Sequence, residues 1–220
     1  MAMLESILSG LQRITDDGEL APDLPDATPD YLNWGFTIYR TEYGGSSDES
    51  WLALLDNIQA QIAEELQAHQ DDEENDEQRQ MAETLQALFR LDTHSDITLL
   101  QDKPMDDLRE LFLRSVEDDH GAFRPHQCGY FLLADSEVLQ DAGRAVNPEF
   151  WVKCVQGDYV AANYTPKNNR MGGQRYFGWM KMTTRSMLEL WDQLNVRDLA
   201  SLAPKTIGGL HVTTWNGELS

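Results

Sequence analysis

Basic side chains are scarce in this sequence: 17 Lys and Arg stand against 38 Asp and Glu over 220 residues, a formal charge of −21. Each phosphate contact with a nucleic acid needs a Lys or Arg to displace counterions, so general nucleic-acid binding is not expected. Docking on an anionic membrane surface is disfavoured by the same deficit. Long hydrophobic runs are missing as well, so no helix is expected to span a bilayer. Only two cysteines occur, Cys128 and Cys154, too few for a disulfide scaffold. The opening residues Met1 to Ser6 lack the basic start and apolar core of a secretory signal. A cytoplasmic chain with reduced thiols is therefore the expectation. At this length a domain buries roughly 70% of its unfolded surface and needs no metal or disulfide to fold.

Acid is unevenly spread. Residues 1–143 hold 32 acidic and 8 basic side chains, whereas 144–220 hold 6 and 9. One acidic stretch, Asp16 to Asp30, is interrupted by Pro22, Pro25 and Pro29. Prolines remove backbone donors and like charges repel, which predicts an extended linker. The second, Asp71 to Glu77, is a block that predicts a mobile loop. Residues 1–30 thus read as an N-terminal helix and linker, and 31–220 as a single domain.

Hydrophobic spacing assigns most elements. Leu4, Ile7, Leu8 and Leu11 predict an amphipathic helix over residues 3–14, packed loosely or exchanged with a partner. Trp34 to Thr41 alternates as a strand does. Ser46 and Glu49 have capping-box spacing before a helix with Trp51, Leu55, Ile58, Ile62 and Leu66 inward and Gln61, Glu64 and Glu65 toward water. Met81, Leu85, Leu88 and Phe89 mark a second helix, and Met105, Leu108, Leu111, Phe112 and Val116 a third. Residues 97–100, 128–134, 150–155, 176–182 and 210–215 read as strands. Ser186 and Glu189 repeat the capping-box spacing before a last helix. Strands and helices without strict alternation predict an α+β fold: a mixed or mostly antiparallel sheet covered by amphipathic helices.

The segment Trp34 to Tyr43, the acidic Gly/Ser turn after it and the helix opened by Trp51 resemble the opening of a group of uncharacterised proteins from filamentous fungi. Tyr130 to Asp135 and Val152 to Val155 are similar to a later part of the same group. The resemblance implies a fungal intracellular protein, and no catalytic residue is carried over from it.

Residues with ligating chemistry gather in two places. Asp119, His120 and His126, close to Cys128, are ligand types that suit zinc, although their spacing is not that of a helical pair. Lys167, Arg170 and Arg175 surround Gly172-Gly173, where backbone amides and guanidinium groups suit an anion. A helix end and an ordinary solvated loop are the plainer readings of the two. His94 and His211 have no neighbouring partner in the sequence and read as structural or exposed. Six tryptophans sit at periodic apolar positions and read as core, with Tyr159 and Tyr164 as candidates for a pocket wall. No nucleophile elbow or phosphate loop occurs, and no cofactor is expected. The expectation is an interaction or ligand-binding domain whose acidic surface suits a basic protein partner or a small ligand. The alternative is a small enzyme with a pocket closed by residues 157–175, anion-binding or metal-assisted.

Overall fold

The computed structural model describes residues 2–12, 31–70, 76–118, 129–144, 149–164, 176–207, 210–211 and 213–218. The chain is α+β: five strands form one mixed sheet in the order β2-β1-β3-β4-β5, and helices cover both faces. In sequence the sheet strands are β1 (Trp34–Arg40), β2 (Phe89–His94), β3 (Tyr130–Ala134), β4 (Trp151–Gln156) and β5 (Trp179–Thr183). The pairs β1–β2 and β1–β3 are parallel, and β3–β4 and β4–β5 are antiparallel. Helices are α1 (Ala2–Leu11), α2 (Ser47–Gln70), α3 (Asp76–Leu88), α4 (Ile97–Leu100), α5 (Met105–Asp118), α6 (Ser136–Arg144), α7 (Met187–Leu194) and α8 (Leu199–Leu202).

Period-two alternation divides the sheet into two cores. Trp34, Phe36 and Ile38, with Leu132, Val152, Cys154, Met180 and Met182, join α1, α2, α3, α6 and α7 in the larger one. Tyr39, Phe131, Leu133 and Val155 point the other way, onto Leu108 and Phe112 of α5 and Leu100 of α4. Trp34 is fully buried, and its Nε1 donates to the Leu85 carbonyl at 2.7 Å, which ties β1 to α3. Helix α1 packs on its own chain: Leu4, Ile7 and Leu11 enter the larger core, and Leu32 N donates to Leu11 O at 2.8 Å.

Several local expectations are corrected. Residues 97–100 are the helix α4, because the Asp96 side chain accepts from Thr98 N and nucleates a turn. Phe89 opens the edge strand β2 instead of ending α3. Helix α6 has only Val138 and Leu139 as buried apolar residues, too short a stripe to be read from periodicity. Ser186 does not cap α7 with its side chain; its Oγ lies 2.7 Å from Thr183 Oγ1. Leu210–His211 (β7) pairs with Thr206–Ile207 (β6) as a separate two-stranded ribbon, while Trp215 bridges Met182 in parallel. Asp76 and Glu77, expected in the acidic loop, form the first turn of α3; residues 71–75 and the linker expected at 16–30 lie outside the described residues. Among the described residues no helix is long and apolar enough to cross a membrane.

Candidate functional site

Strands β2 and β3 flank β1 and run parallel to it, so a switch point of the sheet falls at the carboxyl ends of β1 and β3. Open sheets with parallel strands place ligands at such ends. Here the end is built from charged side chains. Arg40, the last residue of β1, is buried. Its Nε donates to Glu42 O at 2.7 Å and its Nη2 to Ser47 Oγ at 2.9 Å, and it pairs with Asp48 in the first turn of α2. The Tyr43 ring lies 4.5 Å from the guanidinium carbon. Arg40 thus fixes the turn between β1 and α2 and leaves a small depression of about 150 Å³ beside Ser46, Ser50 and Gln140.

Beside β3 lies a second charged group. Asp135 accepts from Val138 N at 3.2 Å with one oxygen and from Lys153 Nζ at 2.5 Å with the other. Lys153 and Lys181 are directly opposed across β4 and β5, a pairing that repels unless an anion intervenes. Glu137 supplies it, one oxygen 2.8 Å from Lys153 and the other 2.5 Å from Lys181. Burial pushes the Glu137 carboxyl up, but hydrogen bonds and charge from the two lysines outweigh it and hold the group below its ordinary range. The ammonium groups also face aromatic rings, Lys153 at 5.0 Å from Trp179 and Lys181 at 4.5 Å from Trp151. These two tryptophans are half-buried, unlike Trp34, Trp51, Trp191 and Trp215. His211 lies over Trp179 with ring centroids 3.8 Å apart, and neither of its buried nitrogens has a partner among the described residues. Burial and the nearby Lys181 and Lys153 charges push its pKa down to about 4, so the imidazole is neutral at pH 7. A cleft of about 340 Å³ opens alongside, lined by Trp151, Lys181, Gln140 and Arg144.

Chemically this arrangement is an internal lock. Both ammonium groups are held by carboxylates, and the Trp151 indole donates to Asp141 at 2.6 Å. It ties the start of α6 to β4 and β5. Arg109 does similar work beneath the second face, donating to Gln156 O at 3.0 Å and to Gly178 O at 3.1 Å. Tyr159 and Tyr164 stack with centroids 5.4 Å apart, and both rings meet Tyr176.

Among the predicted site residues, Asp119, His120 and His126 lie outside the described residues, as do Lys167, Arg170 and Arg175. Among the described residues no group of three or more His, Cys, Asp or Glu is placed to hold a metal ion. His94 proves to have a partner after all: its Nε2 lies 2.7 Å from Asp92 Oδ2, two residues back on the same face of β2. Period-two spacing carries that signal once β2 is known to be a strand. Glu65 was expected in water, yet its Oε2 is buried and has no hydrogen-bond partner among the described residues.

The helical layer over the larger core has a different electrostatic character. Between Arg40 and Arg79 there is no Lys or Arg. α2 carries five carboxylates in 24 residues, and α3 packs beside it, with Gln78 Nε2 and His69 Nδ1 at 3.1 Å joining the end of α2 to the start of α3. Asp48, Glu49, Asp56 and Glu64 on α2 and Asp76, Glu77 and Glu83 on α3 are exposed, with Leu52 also exposed among them. Compared with protein-family models, curated proteins and solved structures, the chain matches none of them.

Proposed function

We propose that this chain is a cytoplasmic interaction domain that docks a basic protein partner on the acidic face of α2 and α3. The observation that supports it is α2 itself, a 24-residue helix with no Lys or Arg that exposes the carboxylates of Glu49, Asp56 and Glu64. Uncompensated charge of one sign raises the energy of the free domain through self-repulsion, and an oppositely charged surface relieves it. The charged groups at the sheet end are by contrast already paired among themselves.

The test is the affinity for a lysine-rich helical peptide, measured by fluorescence anisotropy between 50 and 300 mM salt. The expected result is weakening by about tenfold or more over that range, as the Debye length falls below about 10 Å. Reversing Asp56 and Glu64 to Lys is expected to lower the affinity about tenfold at low salt. Reversing Asp107 and Glu110, exposed on α5 across the sheet, changes net charge equally and is expected to cost less than about twofold. Equal losses from the two pairs, or salt-insensitive binding, overturn the docking face.

A further inference from the structure

A polar seam runs through the apolar packing between α2 and the chain that follows β5. Asn57, Gln61 and Glu65 recur every fourth residue along α2, which places them on one side of the helix. Facing them are Thr184 and Arg185 of a single 3-10 turn, Thr184–Ser186, and Glu189 in the first turn of α7. The upper part of the seam gathers on one hydroxyl. Thr184 Oγ1, with a single hydrogen to donate, lies 2.5 Å from Gln61 Oε1, 2.9 Å from Asn57 Oδ1 and 3.1 Å from Phe150 O. The lower part differs. Glu65 Oε2 is sealed from solvent without a hydrogen-bond partner among the described residues, and the charge that faces it from α7 is another carboxylate, Glu189, itself accepting from Gln193 at 2.9 Å.

We propose that Glu65 is a proton-operated latch between α2 and α7: protonated, it lets α7 seat against α2, and ionised, it loosens that seat.

An ionised carboxylate with an orphaned oxygen opposite a second carboxylate is costly in a low-dielectric seam. A protonated one is neutral and donates a hydrogen. The other groups around Glu65 fix the balance. Arg185 on the 3-10 turn favours the ionised form and Glu189 opposes it. His69, one turn further along α2, is engaged with Gln78 of α3. α3 presents Ala82, Leu85 and Leu88 to the shared core and pairs Arg79 with Asp76, while α6 contributes Val138 and Leu139. The net result of burial first, then Glu189, against Arg185, is a carboxyl raised from 4.5 to about 7. The seated state therefore keeps a proton that a loosened, solvated state gives up. Seating weakens as pH rises from about 4.5 and reaches its limit above about 7. The latch works in the neutral range, where an ordinary carboxylate has already titrated. It stands on this seam alone and does not depend on the docking face.

The readout is amide hydrogen exchange of α7 in the full chain, normalised for intrinsic rates and compared with β3. Opening of α7 is expected to be about 30-fold more favourable at pH 8.5 than at pH 5.5, with β3 unchanged. Glu65→Gln is expected to flatten the α7 profile and keep it protected. Glu189→Gln removes a repulsive charge, so the plateau should begin at lower pH; Arg185→Gln should move it higher. Titration of the Glu65 carboxyl carbon by NMR reads the proton directly. An α7 profile in Glu65→Gln that still follows pH, parallel loss of protection in β3, or a Glu65 carbon that titrates near 4.5 overturns the latch.

Discussion

Gly35→Ala is expected to destabilise the domain by about 4 kcal/mol or more, enough to leave most of the chain unfolded. Gly35 is the second residue of β1, the strand that carries both parallel pairings of the sheet. Its φ is +135°, a conformation that side chains rarely adopt. A Cβ added there falls 1.8 Å from the Arg90 carbonyl oxygen and 2.9 Å from its carbon. Those are backbone atoms of the opposed residue in the register, so relief requires parting β1 from β2. Arg90 cannot drift easily, since its guanidinium donates to Ala87 O and Phe89 O, both at 2.8 Å. The comparison is Gly45→Ala, at φ +58° with open space around the Cβ, expected to cost about 1 kcal/mol from backbone strain alone. Urea denaturation of the two variants separates contact from conformation. A Gly35→Ala domain within about 1.5 kcal/mol of the parent removes the argument.

Gly35 also shows where a sequence stops being informative. Trp34, Phe36 and Ile38 announce β1 through their alternation, and in that pattern Gly35 is simply a small residue on the other face. The close approach of Arg90 depends on β2, which the sequence hides: Phe89 continues the spacing of α3, and Asp92 and His94 look like loop residues. The long stripe of α2 was legible because apolar residues repeat over about four turns, but the turn containing Glu64 and Glu65 was not resolved. Adjacent residues on a helix differ by about 100°, so one of two neighbouring glutamates reaches solvent and the other enters the seam. α4 and α6 were lost for another reason: two to four apolar residues cannot distinguish a helix turn from a strand. The charged group at the sheet end was invisible because Asp135, Glu137, Lys153 and Lys181 meet only through the register of β3, β4 and β5. What the sequence did carry was the acidity of residues 1–143. Its consequence followed only once Asp48 to Glu64 and Asp76 to Glu83 were found on adjacent helices.

Lys153→Ala is expected to cost about 3 kcal/mol at pH 7, and most of that cost should vanish in acid. The lysine is the buried member of its group, with its side chain 8% exposed, and it is bonded to both Asp135 and Glu137. Removing one partner of a buried ion pair leaves charge uncompensated, which is worse than removing the whole pair. Asp135 and Glu137 are partly solvated, so the loss falls toward the lower end of the range for buried pairs. Lys153→Met keeps the apolar stem against Trp179 and is expected to recover about 1 kcal/mol relative to Ala. The acid dependence follows from Glu137, whose carboxyl sits below its ordinary value in the folded chain. A depressed carboxylate stabilises the fold above its unfolded pKa and ceases to do so as pH falls through the folded one. Parent and variant stabilities should therefore converge as pH is lowered from 7 through the carboxylate range. Urea titrations at pH 7 and pH 3 give the comparison. A cost that is the same at both values would assign Lys153 to packing, and the charge lock between α6 and the sheet would lose its support.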